Sequence, residues 1–256
     1  MNNDFLIRLL FCSLLIMGTA CGSDNKRKET QQLQHEHAET STESSKQLQF
    51  ERHEVEAYPD AIIEMYSPLG NEHFASGRVP FEFNIKNYPF TDGLKGFQFR
   101  LSINGGNPIS YHLPIFQKDF NPGTYRAVAY LIDKEGLALK EFGNYVDRDF
   151  TIGDSKPFPA SDEPYMVLNL PEDKQTYTAD EDVIIDFLLI GGGLKEDKLK
   201  FLVEIDGQQQ EIKELSPVVV KGIQAGQHTL SVKLVRENGE ELNGIFTSVK
   251  RTFSIQ

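Results

Sequence analysis

The chain has 256 residues, a formal net charge of −12 at pH 7 and no tryptophan. This excess of acidic residues disfavours nucleic acids and anionic lipid surfaces as partners, because both would repel it. The sequence also lacks the short motifs of serine nucleophiles, zinc hydrolases and phosphate-binding loops. Composition and motifs together predict a protein that is not an enzyme, needs no cofactor and binds no nucleic acid.

The first 21 residues carry the pattern of an export signal. Arg8 precedes an apolar run over residues 9–17, which is shorter than the roughly 20 apolar residues of a membrane-spanning helix. Residues 18–21, Gly-Thr-Ala-Cys, resemble the lipobox of bacterial lipoproteins. The resemblance implies a lipid on Cys21 that attaches the protein to a membrane of the bacterial cell envelope, as an outer-membrane lipoprotein facing the periplasm or the surface. The alternative is an ordinary secretory signal with a chance cysteine.

Residues 22–57 form a polar stretch rich in Gln, Glu, Ser, Thr and Lys. Its few large apolar residues cannot bury enough surface to offset the entropy of ordering the chain, so the composition predicts a disordered tether. A flexible chain of this length reaches about 30–35 Å. Within it, His35, His37 and His53 are candidate ligands for Cu(II), Ni(II) or Zn(II). The alternative is a polar linker that happens to contain histidines.

Two copies of one pattern follow, over residues 58–153 and 162–256, with a proline-containing linker at 154–161. From the turn before Gly123 and Gly226 to the end of each copy, the two sequences align without a gap. A repeat of about 100 residues is a whole domain rather than a solenoid unit. The sequence therefore predicts two tandem domains that fold independently, because few contacts are expected between them across a short linker.

Apolar residues alternate within each copy with a period of two, which indicates strands rather than helices. The strands predicted in the first copy lie near 61–67, 79–85, 97–103, 107–112, 115–120, 124–132 and 145–152. Short strands separated by turns at this spacing are typical of a two-sheet antiparallel sandwich. The predicted fold class is all-β.

One segment narrows this fold class. Gly123-Thr124-Tyr125-Arg126-Ala127 resembles the Gly-x-Tyr-x-Cys segment of immunoglobulin-like domains, where the tyrosine closes a corner onto its own backbone. His228 stands at the matching position of the second copy. The resemblance implies two tandem Ig-like or fibronectin-III-like β-sandwiches of the bacterial kind, with Phe99 and Phe201 in the volume of the missing tryptophan.

Strand alternation also predicts which residues after this corner face the core. The core-facing residues are Ala127, Ala129, Leu131, Leu230, Val232 and Leu234. Tyr130 has the opposite parity and is expected to face solvent. With Tyr88 and Tyr111 it forms a candidate aromatic platform for a glycan or a protein partner.

These observations predict a non-catalytic, lipid-anchored envelope protein that displays two Ig-like modules on a tether, for partner binding or spacing. One alternative is a glycan-binding lipoprotein that uses the aromatic residues of the first domain. Another is a metal-handling protein that works through the histidines of the tether.

Overall fold

The computed structural model describes residues 47–90 and 98–256. These residues form seventeen strands and no helix, so the predicted all-β fold is confirmed. Nothing in these ranges is a helix long and apolar enough to cross a membrane.

The strands follow one another closely along the chain. The first nine are β1 (Gln49–Arg52), β2 (Ile62–Ser67), β3 (Glu72–Phe74), β4 (Arg78–Lys86), β5 (Phe99–Ile103), β6 (Ile109–Tyr111), β7 (Ile115–Asp119), β8 (Gly123–Leu131) and β9 (Tyr145–Ile152). The other eight are β10 (Tyr165–Leu170), β11 (Gln175–Tyr177), β12 (Val183–Ile190), β13 (Leu199–Ile205), β14 (Gln208–Ile212), β15 (Val218–Lys221), β16 (Gly226–Arg236) and β17 (Ser248–Ile255). Every strand predicted for the first copy is present, and the short β3 was missed.

The strands build two sandwiches. Sandwich 1 has a three-stranded sheet, β2-β4-β7, facing a five-stranded sheet, β3-β9-β8-β5-β6. Sandwich 2 repeats this plan with β1-β15-β12-β10 and β11-β17-β16-β13-β14. Neighbours are antiparallel except for β3 with β9 and β11 with β17. Each sandwich buries its own apolar core, in which Phe99 and Phe201 are fully enclosed.

The predicted corner is present in both copies. The Tyr125 hydroxyl donates to the Asn121 carbonyl at 2.9 Å. His228 Nε2 makes the same contact to the carbonyl of Gln224 at 2.8 Å, also four residues back. The other ring nitrogen of His228 lies 2.6 Å from a carboxylate oxygen of Asp206. An imidazole therefore replaces the phenol in the same structural role.

The predicted tether is wrong from Leu48 onward. Residues 49–52 form β1, which pairs with β15 at the edge of sandwich 2. Leu48 and Phe50 pack against the core of that sandwich. Composition missed the strand because it treats these two apolar residues as isolated, whereas their spacing of two places both on one face.

Strand register gives a first prediction. Leu230 is fully buried and its neighbour Thr229 is exposed. We expect Leu230→Ala to lower the free energy of unfolding by about 2–5 kcal/mol through lost contacts and a cavity. Thr229→Ala should change it by less than about 0.5 kcal/mol. Urea denaturation followed by circular dichroism measures both. A larger effect for Thr229→Ala would place the strand one residue out of register.

Candidate functional site: the interface between the sandwiches and the exposed edges

The predicted solvent exposure of Tyr130 is wrong. Its side chain does point away from the core of sandwich 1, but its relative exposure is 0 %. Residues of sandwich 2 cover it and form a third apolar cluster. The cluster consists of Val128, Tyr130, Ile132, Ala138, Tyr165, Val167, Leu188 and Ile190. Alternation identifies the side of the strand on which a residue lies, and it carries no information about what covers that side.

A network of hydrogen bonds crosses the same interface. The Tyr130 hydroxyl donates to Asn169 Oδ1 at 2.9 Å, and Arg100 donates to the same oxygen at 2.8 Å. Asn169 Nδ2 donates to Asp186 Oδ2 at 2.6 Å and to the Gly136 carbonyl at 2.9 Å. Burial raises the pKa of Tyr130 far above its ordinary value, so the phenol stays a donor.

Asp186 is the charged centre of this network. It is completely buried, and it accepts hydrogen bonds from Lys140 Nζ at 2.5 Å and from the Ala138 N–H at 2.7 Å. Lys140 Nζ also donates to the Phe187 carbonyl at 3.0 Å. Because Lys140 belongs to sandwich 1 and Asp186 to sandwich 2, the ion pair joins the two sandwiches. A buried charge is tolerated only when it is paired and hydrogen-bonded in this way.

Arg251 supports the network from inside sandwich 2. It donates to the carbonyls of Leu168 at 2.7 Å and Pro171 at 2.5 Å, on either side of Asn169. Burial lowers the pKa of Arg251 to about 10, which leaves the guanidinium charged at neutral pH. It fixes the backbone from which Asn169 reaches the interface. Among the described residues, every buried side-chain nitrogen and oxygen has a hydrogen-bond partner.

A second contact region involves the predicted linker. Arg126 of sandwich 1 makes a bidentate ion pair with Asp149, at 2.6 and 2.7 Å, which raises the pKa of its guanidinium. Its Cζ lies 4.5 Å from the ring centroid of Tyr165, 5.7 Å from that of Phe246 and 5.8 Å from that of Phe158. Phe158 belongs to the linker. Cation–π contacts therefore join the linker and both sandwiches. Independent folding of the two copies stays a prediction.

Tyr88 and Tyr111, the other two candidate platform residues, pack against the core of sandwich 1. Tyr88 donates to the Gln98 carbonyl at 2.9 Å and also contacts the Ile132 carbonyl. The Tyr111 ring stacks on Phe116 with centroids 4.0 Å apart. The structure does not bring Tyr88, Tyr111 and Tyr130 together on one open face, so the predicted platform is not formed.

Of the three predicted metal ligands, only His53 lies among the described residues. His53 Nε2 lies 3.2 Å from Glu135 Oε2, and within the described ranges no three His, Cys, Asp or Glu side chains cluster as a metal site would require. His35, His37 and Cys21 lie outside the described residues. The metal and lipidation hypotheses therefore stay predictions.

Two surface features were missed by sequence reasoning. A groove of about 270 Å³ lies where residues 52–58 pass beside the loops at 139–144 and 215–217, and its lining mixes acidic and basic side chains. The second feature is a pair of exposed apolar side chains on sandwich 1, Leu113 and Ile115. Leu113 precedes β7 and Ile115 begins it, at an edge of the three-stranded sheet.

Comparison with known proteins finds likeness in structure alone. No family model matches the chain, and no curated protein matches its sequence. The fibronectin(III)-like modules of CbhA from Clostridium thermocellum align over 76 % of this chain and 94 % of theirs, with 13 % identity and a TM-score of 0.29. Three N-terminal domains of the highly immunogenic outer capsid protein of bacteriophage RB49 align over 77 % of this chain and 69 % of theirs, with 10 % identity and a TM-score of 0.23.

The interface gives a second prediction, for which the repeat provides a matched control. Asp186→Ala leaves Lys140 without its carboxylate partner in a mostly buried position, and should lower the free energy of unfolding by about 3–5 kcal/mol. Glu82 occupies the equivalent repeat position on the exposed face of sandwich 1. Glu82→Ala should change stability by less than about 0.5 kcal/mol. Urea denaturation of both variants tests this, and equal effects would contradict the role given to Asp186.

Proposed function

We propose that the protein is a non-catalytic, lipid-anchored protein of the bacterial cell envelope that displays two Ig-like modules as one rigid unit, to bind or space a partner. The observation that carries the proposal is the buried interface. Its polar and charged groups bond to one another and to the backbone, which is the arrangement of a structural joint.

The state of the buried charged groups supports a non-catalytic role. A catalytic carboxylate or amine needs access to a substrate and an unsatisfied bonding direction. Asp186 is fully buried and is bonded to three donors, and Arg251 is bonded to backbone carbonyls. These groups therefore stabilise the joint and offer no reactive atom to a ligand.

The buried interface also fixes the orientation of the two modules relative to each other. Flexible linkers let tandem domains reorient, whereas apolar contacts and a buried ion pair oppose this. Here Tyr130, Asn169 and Asp186 connect the sandwiches directly, and Phe158 ties down the linker between them. We infer that a partner meets both modules in one fixed arrangement, as a spacer or a two-module binding protein requires. The partner we propose is a protein of the envelope, because the burial of Tyr130 removes the ring on which a glycan platform depended.

The lipid anchor rests on the lipobox resemblance at residues 18–21, and it gives a third prediction. Wild-type protein expressed in a bacterial host should partition into the detergent phase and incorporate labelled palmitate. Cys21→Ser should lose the label and move to the aqueous phase, because the thiol that would carry the lipid is gone.

Cys12→Ser is the matched control, since that cysteine would leave with the signal and should affect neither readout. If Cys21→Ser partitions like wild type, the proposed anchor is wrong.

A further inference from the structure

A strand from outside the repeat completes one sheet of sandwich 2. β1 pairs antiparallel with β15, from Gln49 opposite Lys221 to Arg52 opposite Val218. Arg52 of the added strand also makes an ion pair with Glu214 at 2.8 Å. The outer edge of β15 is therefore a place where this fold accepts an extended segment.

In sandwich 1, β7 occupies the position that β15 occupies in sandwich 2. β15 pairs with β12 so that Val220 lies opposite Val183, and β7 pairs with β4 so that Lys118 lies opposite Val79. Val79 and Val183 are equivalent positions of the repeat. Among the described residues, however, no strand pairs with the outer edge of β7.

The backbone of β7 offers hydrogen-bonding groups at this edge. The Pro114 carbonyl accepts from the Phe83 N–H at 2.9 Å, and the Phe120 N–H donates to the Gly77 carbonyl at 2.8 Å. Bonding directions alternate along an antiparallel strand, so the groups of every second residue between these two also point to β4. The intervening residues point outward. They are Ile115, Gln117 and Asp119. Such a row of outward groups is a template for strand addition.

Exposed apolar side chains lie where β7 begins. Leu113 and Ile115 have relative exposures of 50 % and 66 %. Further along the edge, Gln117 and Asp119 are exposed and polar. Exposed apolar side chains beside unpaired backbone groups favour an interaction site.

Lys118 adds a charge requirement. Its equivalent in sandwich 2 is Val220, and Phe50 of β1 lies opposite that residue. Lys118 makes no ion pair within the described structure, and its amine lies 5.9 Å from the ring centroid of Phe120. An incoming strand would place a side chain beside Lys118, where a carboxylate complements the amine. The positions beside Phe116 and Phe120 would favour apolar side chains.

We propose that the outer edge of β7 binds an extended segment of a partner protein, which adds a strand antiparallel to β7. The segment carries an acidic side chain opposite Lys118 and apolar side chains opposite Phe116 and Phe120. The proposal rests on the proposed function as a binding module and names the surface that the partner uses.

The probe is a synthetic peptide based on residues 46–53, with Phe50→Glu and Arg52→Leu, which places a carboxylate opposite Lys118 and leucines on either side. Amide hydrogen exchange of the full-length chain is followed by NMR. Saturating peptide should slow exchange of the Ile115, Gln117 and Asp119 amides by about ten-fold or more, since each gains a hydrogen bond or is shielded. The amides of Phe116 and Lys118 should not change, because they already bond to β4.

Two substitutions test the edge itself. Gln117→Pro removes the central outward N–H, and a proline is tolerated on an edge strand when its missing donor faced solvent. The melting temperature should hold while peptide affinity falls by about ten-fold. Ile115→Lys should also weaken binding, whereas Leu69→Lys, at a similarly exposed leucine in the β2–β3 connection, should leave it unchanged.

A charge exchange tests the recognition of Lys118. Lys118→Glu should weaken binding of the acidic peptide. The variant should instead bind more tightly a peptide that carries lysine in place of the glutamate at position 50. If both protein forms prefer the acidic peptide, the assigned register is wrong.

Three results would overturn the proposal. Equal peptide binding by wild type and Gln117→Pro would exclude the β7 edge. Protection of the outward amides before peptide is added would show that the edge is already covered. A lower sedimentation coefficient for Ile115→Lys than for wild type would identify a second copy as the occupant. Detergent partitioning of Cys21→Ser depends on none of these results, so the proposed function can be judged separately.

Discussion

The ion pair between Lys140 and Asp186 is the constraint on which the rest of the structure depends. A carboxylate with no solvent exposure is stable only while it keeps its counter-charge and hydrogen bonds, and here the counter-charge comes from the other sandwich. Separating the sandwiches would therefore expose the apolar cluster around Tyr130 and also leave Asp186 without its cation and Asn169 without the Tyr130 hydroxyl. The two sandwiches are tied to one geometry by charge and by shape, and contacts join them into one compact unit.

The two copies of the repeat differ clearly at positions that one sandwich buries in this interface and the other exposes. Tyr130 corresponds to Lys233, which makes an ion pair with Glu241 on the outer face of sandwich 2. On the outer face of sandwich 1, the Glu64 carboxylate accepts hydrogen bonds from Asn84 at 2.7 Å and Lys86 at 2.9 Å. The equivalent residues in sandwich 2 are buried and apolar. They are Val167, Leu188 and Ile190. Sandwich 1 presents an apolar sheet face to sandwich 2, whereas the outer faces carry the ion pairs of Glu64 with Lys86 and of Lys233 with Glu241.

Much of each sandwich could be predicted from sequence because it depends on local patterns. Period-two alternation located the strands, and the Gly-x-Tyr segment located the corner that Tyr125 and His228 both close. The interface could not be predicted in the same way. Side-chain alternation along the strand predicts that Tyr130 faces solvent. Alternation distinguishes the two sides of a sheet, but it says nothing about a second sheet that covers one of them. The strand at Gln49–Arg52 was missed for a related reason, since its pairing partner lies far along the chain at Val218–Lys221. The acidic residue at position 186 gave one signal that could have been used, because it interrupts an otherwise apolar strand.

Differential scanning calorimetry of the full-length chain tests the central claim most directly. If the buried interface makes the two sandwiches one cooperative unit, the chain melts in a single transition whose calorimetric and van't Hoff enthalpies agree. Two separate transitions, each with the enthalpy of about half the folded residues, would show that the sandwiches unfold independently and would contradict the account.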